Sequence, residues 1–252
     1  MDQSPVLSVA GKVATITLSR PDVANRMVPE DLRTVVDHVH AVNQMDEVLV
    51  LRLMSTGKYF CSGFNIGSLT EEKGENGISF GQLVDVVEQA RAVTIAGLQG
   101  GVYGGATDLC IACDFRIGVP TCDTFMPAAR LGLHYYQGGL ERYVSRLGLN
   151  AAKRMFLTAE KLDAQTMLDI GFLTEIVPAD QLQTRVDALT DILASMAPIP
   201  LLGMKKHLNR IAHGTLDVLD LEKDELRSQM SEDLREGGLS FKERRKPVFR
   251  GV

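Results

Sequence analysis

The sequence predicts an α/β protein with a mostly parallel sheet, and three observations point there. A strand-like apolar run, a glycine-rich loop and a helix start follow one another twice in the first half. The run at 48–54 is continuously apolar, as suits a strand buried on both faces. From about Ala179 onward the pattern turns helical, with no further glycine loop.

The elements follow in order. Residues 6–10 and 13–19 flank Gly11-Lys12 and alternate in polarity, which predicts a hairpin. Pro29, Glu30 and Asp31 open a helix, with a proline early and acids where the helix dipole favours them. Leu32, Val35, Val36, Val39 and Val42 keep helical spacing along one face. The strand at 48–54 empties into a loop of small residues at 55–65. A mobile surface loop is expected at 74–77, then a helix over 79–92. Residues 94–99 form a short strand, GGVYGG a loop, 106–113 a helix start and 115–119 another strand. Three helices are expected at 180–196, 201–213 and 216–235, broken by Pro198, Pro200 and Gly214 and carrying no cluster of titratable groups.

Composition narrows the function. With 252 residues, 45% of them hydrophobic, the chain suits one large domain or a domain plus a helical appendage. A net charge of −5 argues against a nucleic-acid partner, which demands a basic surface. No apolar run approaches the ~20 residues of a spanning helix, so no membrane partner is expected. The N-terminal stretch lacks a signal-peptide core, and a cytoplasmic protein is expected. Cys110 and Cys113 form a CxxC without a second pair or nearby histidine, so they are assigned to packing and no metal is expected.

Two segments carry chemistry: YFCSGFNI at 59–66 and GGVYGGATD at 100–108. Each sets glycines directly after a strand, where backbone can approach a ligand closely. The second feeds a helix N-terminus, which favours negative charge. Neither spacing is GxGxxG or GxxxxGK[ST], which disfavours a nucleotide phosphate. Two donors from separate loops instead suit a developing oxyanion.

The pair of segments resembles the crotonase (enoyl-CoA hydratase/isomerase) superfamily. FCSGFNI at 60–66 follows its F-x-[AS]-G-x-[DN]-[IL] pattern, and GGATDLCIACD at 104–114 its G-G-x-x-[DE]-L-x-x-x-x-D pattern. Further similarity runs through SRPDVAN at 19–25, LGL at 131–133, LTAEKLDAQTMLDIGFLTEIV at 157–177 and FKERRKPVF at 241–249. The resemblance implies a crotonase (ClpP-like) spiral of β-β-α units at 1–195 and a C-terminal helical oligomerisation region at 196–252. It also implies an acyl-CoA substrate, with coenzyme A part of the substrate and no separate cofactor, and a homotrimer or hexamer.

By that resemblance the backbone N–H groups of Phe64 and Gly105 form an oxyanion hole, and Asp108 stands where family hydratases carry their first catalytic glutamate. Ser62, Ile66 and Gly104 are candidates for substrate binding, as are Ala128 and Tyr136. Arg26 and Lys58 are candidates for coenzyme A, together with Phe241 and Arg244 from a neighbouring subunit's tail. The departure comes at 125–132. Family hydratases show F-G-x-P-E-x-x-L-G there, whereas this chain reads FMPAARLG, with Ala128 nearest the missing glutamate. The stretch also resembles the methylmalonyl-CoA decarboxylase branch, in which a tyrosine at the place of Tyr135 lines the site, although that branch has a histidine where Phe64 stands. His134, Tyr135 and Tyr136 are therefore further candidates. The expected chemistry is an enolate reaction with one carboxylate, a double-bond shift foremost. The alternatives are decarboxylation of a malonyl-type thioester, atypical hydration, or acyl-thioester binding without catalysis.

Overall fold

The computed structural model describes residues 4–65, 67 and 77–252. Its main sheet has six strands. β1 (Val6–Ala10) and β2 (Val13–Leu18) form the expected antiparallel hairpin. β2 then pairs in parallel with β3 (Val50–Ser55), β3 with β4 (Val93–Leu98), β4 with β6 (Phe115–Gly118), and β6 with β9 (Glu175–Ile176). The alternation in β2 sends Ala14, Ile16 and Leu18 inward, while all of β4 is buried. A second sheet of three short strands joins β5 (Val102–Tyr103), β7 (Asp123–Phe125) and β8 (Leu162–Asp163) in that order.

Helices cover the sheet. α1 (Pro29–Asn43) buries Leu32, Val35, Val36, Val39 and Val42, each contributing about 1.5–3 kcal/mol of hydrophobic stabilisation. α2 (Phe80–Glu88) starts at a capping box, in which Ser79 Oγ accepts from the Gln82 N–H and Gln82 Oε1 accepts from the Ser79 N–H. α3 (Gly105–Ala112) follows β5, and α4 (Gln137–Leu147) packs across α3. α5 (Leu149–Lys153) and α6 (Ala164–Asp169) lead to the last strand. The four cysteines are free thiols in the buried interior, as packing residues should be.

The C-terminal region differs from expectation in three ways. α7 (Leu182–Ala194) is followed by α8 (Pro198–Ala212), so the prolines open this helix instead of breaking it. Both lie in the first turn, where a missing N–H costs no helical bond. The helix expected over 216–235 is two helices, α9 (Val218–Met230) and α10 (Glu232–Glu243), because Ser231 leaves helical geometry to cap the second. A titratable cluster does exist here. Lys206 pairs with Asp220 at 2.8 Å and Asp224 at 2.6 Å, while His207 Nε2 lies 3.0 Å from Asp224 Oδ2. Among the described residues no single helix is long and apolar enough to cross a membrane. Residues 74–76 of the expected mobile loop lie outside the described residues.

Candidate active site

The two glycine-bearing loops lie directly against each other. Phe60 N–H donates to Gly101 O at 3.1 Å, and Tyr103 N–H to Cys61 O at 3.0 Å. Any side chain on Gly100 would run into the Lys58 carbonyl, 2.0 Å from the Cβ position, so only glycine permits this approach. Gly63 adopts φ +89°, and a Cβ there would stand 2.7 Å from Tyr103 O and 3.1 Å from Gly105 N. The residue before Phe64 therefore abuts the first residue of α3.

This contact leaves two backbone donors free. Phe64 bridges Met27 in parallel, with Met27 N–H donating to Gly63 O and Asn65 N–H donating to Met27 O, both at 2.9 Å. N–H groups alternate sides along an extended strand, so the Phe64 N–H turns away from Met27. Gly105 is the first residue of α3, where the N–H has no intrahelical acceptor. Neither N–H donates to an acceptor among the described residues.

Both donors border one cleft of about 2500 Å³ that runs from α3 to α8 and the C-terminal tail. Ser62 and Gly104 lie just before them in the chain, and Ala128, His134, Tyr135 and Tyr136 line the same cleft. Ala128 opens a single tight helical turn, is 4% exposed and brings a methyl group to the cleft in place of a titratable side chain. The Phe80 ring packs edge-on against Phe64, with centroids 6.2 Å apart.

Asp108 does not border this cleft. It is fully buried in the first turn of α3, beneath the tyrosines. Arg142 Nε donates to its Oδ1 at 2.9 Å, and the Tyr136 hydroxyl donates to Oδ2. Burial pushes the Asp108 carboxyl above its ordinary range, although Arg142 and the Tyr136 hydroxyl both favour the anion. Arg142, also fully buried, bonds Glu88 through Nη1 and Asp85 through Nη2. Glu88 receives Arg146 Nη2 at 3.2 Å and lies 3.1 Å from His213 Nε2. Sequence reasoning missed this network, which ties α3, α4 and α2 to the end of α8.

Tyr136, not Tyr135, reaches Asp108, while Tyr135 stacks on it with centroids 4.4 Å apart. His134 is exposed, and its Nδ1 lies 2.8 Å from the Tyr135 carbonyl. Arg26, Lys58, Phe241 and Arg244 are exposed and lie outside the cleft, with Phe241 86% exposed. Ile66 lies outside the described residues.

Known proteins share this architecture and sequence. The family profile described as Enoyl-CoA hydratase/isomerase matches residues 9–252. The chain belongs to the enoyl-CoA hydratase/isomerase family. It is 27% identical over 248 residues to a short-chain-enoyl-CoA hydratase of Clostridium acetobutylicum, covering 96% of this chain and 95% of that one. It is 28% identical over 251 residues to the enoyl-CoA isomerase/hydratase fer4 of Mycosarcoma maydis, covering 94% and 92%. A solved enoyl-CoA hydratase/carnithine racemase of Magnetospirillum magneticum superposes with a TM-score of 0.91 at 22% identity, covering 100% of this chain and 97% of that chain, and so shares the fold. This member of the family carries aspartate at 108 and alanine at 128.

Proposed function

We propose that this enzyme shifts a double bond in an acyl-CoA thioester through an enolate held by the N–H groups of Phe64 and Gly105. The supporting observation is that pair of unspent donors from two abutting loops. Such donors cost no reorganisation when charge develops on the thioester oxygen, and losing one typically costs 10²–10³-fold in kcat. Asp108 supplies the one acid/base carboxylate. Ala128 adds none, and the two-carboxylate addition of water is disfavoured accordingly.

The cleft exceeds the about 300–1,000 Å³ of an ordinary small-molecule pocket, which suits a substrate with a long handle. Ser62 and Gly104 would flank the thioester, with Arg26 and Lys58 outside the mouth for the charged handle. Phe241 and Arg244, exposed on and just after α10, would reach a neighbouring subunit's site in a trimer or hexamer. No separate cofactor is needed. Four free buried thiols suit the reducing cytoplasm.

Decarboxylation of a malonyl-type thioester is the second reading, favoured by the burial of Asp108 away from the cleft. Loss of CO₂ leaves the same enolate and requires no general base. Incubation with 3-enoyl-, 2-enoyl- and malonyl-type CoA esters, followed by mass spectrometry and NMR of the products, tests both. Migration of a 3-enoyl double bond supports the isomerase. Loss of CO₂ alone supports the second reading, and binding without turnover overturns both.

A further inference from the structure

We infer that Tyr136, not Asp108, is the group that exchanges a proton with the substrate, and that Asp108 and Arg142 work behind it. The inference rests on the enolate reading above and names the residue that performs its proton transfer.

Three observations carry it. The first is access: Asp108 is fully buried and absent from the cleft wall, whereas Tyr136 is half-buried and borders it. The second is occupancy of the carboxylate. Arg142 Nε takes Oδ1 and the Tyr136 hydroxyl takes Oδ2, so each oxygen already has a partner inside the protein. The third is the fixing of Tyr136 itself. Its ring stacks on Tyr135 and lies against Gly81, where a Cβ would come to 3.0 Å from Tyr136 Cδ2. Phe80, next in the chain, packs at Gly105, so one dipeptide sets the tyrosine relative to the oxyanion donor. Asp108 follows Gly105 by three residues, about 4.5 Å along the helix axis, so the carboxylate that holds the hydroxyl and the Gly105 donor belong to one helical turn.

The proton steps balance. The substrate's Cα–H bond breaks and its proton forms the Tyr136 O–H bond, as the original phenolic proton passes to Asp108 Oδ2. The electron pair of the C–H bond moves into the enolate, whose oxygen lies against the two backbone donors. Delivery at the γ carbon reverses the relay: Tyr136 gives up its proton and Asp108 returns one to the phenol. Each cycle ends with Asp108 ionised and Tyr136 neutral. Arg142 keeps the carboxylate turned towards the phenol and takes no proton. Among the described residues, Tyr135, whose hydroxyl lies 3.3 Å away, and the Arg142 guanidinium also act on the Tyr136 hydroxyl.

The test uses 3-butenoyl-CoA in D₂O, following double-bond migration and α-proton exchange, with dissociation constants measured on butyryl-CoA. Tyr136→Phe should lower kcat for both processes roughly 10²–10⁴-fold while the butyryl-CoA affinity stays within about twofold. Placing 3,5-difluorotyrosine at 136 should retain turnover and move the pH–rate profile towards acid, which a packing role would not do. Turnover in Tyr136→Phe within threefold of wild type overturns the assignment, as does weakened binding with kcat unchanged. If Tyr136→Phe fails to fold, an unmoved profile in the fluorinated protein overturns it instead. Wild type that binds butyryl-CoA but neither exchanges nor isomerises 3-butenoyl-CoA sinks the enolate reading itself, an outcome distinct from failure of Tyr136 alone.

Discussion

Arg142 Nε lies 2.9 Å from Asp108 Oδ1, with both side chains sealed from solvent. A pair so buried is little screened by salt, and neither charge can be removed without stranding the other. A neighbouring residue on each helix repeats the link, since the Tyr143 and Thr107 hydroxyls are also hydrogen-bonded. α4 thus fixes the first turn of α3, and with it both the carboxylate and the helix end that carries the Gly105 donor.

Replacing Arg142 by Met should therefore cost about 3–5 kcal/mol of unfolding free energy, measured by denaturant titration at pH 7. It leaves Asp108 and Glu88 buried without their shared cation. The milder Arg142→Gln should move the acidic limb of the pH–rate profile to higher pH. The relay needs Asp108 ionised, burial already raises its pKa, and the guanidinium is the main group opposing that rise. An unmoved limb would mean that Asp108 does not govern activity.

Asp108→Asn keeps the side-chain size but cannot take a proton at neutral pH. Isomerisation of 3-butenoyl-CoA should fall by roughly 10²–10⁴-fold while butyryl-CoA binding barely changes. A far smaller loss, with CO₂ released from a malonyl-type ester, would favour the decarboxylase reading.

Glu88 gives a pH signature in stability. Burial raises its pKa, but Arg142, His213 and Arg146 outweigh that and hold it below its ordinary 4.5. The folded state thus binds this proton less readily than the unfolded chain. Its stabilisation is full above about pH 4.5 and fades as the pH falls through the depressed folded value. Glu88→Gln should accordingly be less stable than wild type at pH 7, with the gap closing towards acid in paired thermal melts. A gap that stays constant with pH would contradict the ion-pair assignment.

Much of this site was legible in the sequence, and the reasons for the remainder are physical. Alternation in β2, the apolar run of β3 and the glycine loops set up the sheet and the two donors, because each signal is local. Arg142 meets Asp108 and Glu88 across 34 and 54 residues, a separation at which no spacing rule operates. One clue was present. Gly139, Arg142 and Tyr143 are the buried residues of α4, so an arginine occupies a position that helical spacing gives to the core. The choice between Tyr135 and Tyr136 depended on which way a loop turns into α4, which neighbouring residue types do not reveal. β5 and β8, at two residues each, are too short to show a period.

The C-terminal helices leave Met204, Leu208, Leu219, Leu226, Met230 and Leu234 exposed, each by more than half. Such apolar area calls for a covering partner, and further copies of the chain are the expected one. Sedimentation at micromolar concentration should give a trimer or hexamer. A monomer would remove the proposed reach of Phe241 and Arg244 into a neighbour's site.

The oxyanion hole itself can be observed in the carbonyl it binds. In Gly105→Pro the donor is deleted at a helix position that accepts proline, but a Cβ there would lie 2.8 Å from Phe80 Cε1. The comparison is therefore made in a Phe80→Leu background, with that single variant as reference and folding checked in both. Infrared difference spectra of bound crotonyl-CoA, labelled with ¹³C at the thioester carbon, report the polarisation of that bond. The reference protein should shift the carbonyl stretch to lower frequency, and the proline variant should lose most of that shift along with about 10²–10³-fold in turnover. An unshifted carbonyl in the wild-type complex, or a shift that survives loss of the Gly105 N–H, would contradict the account.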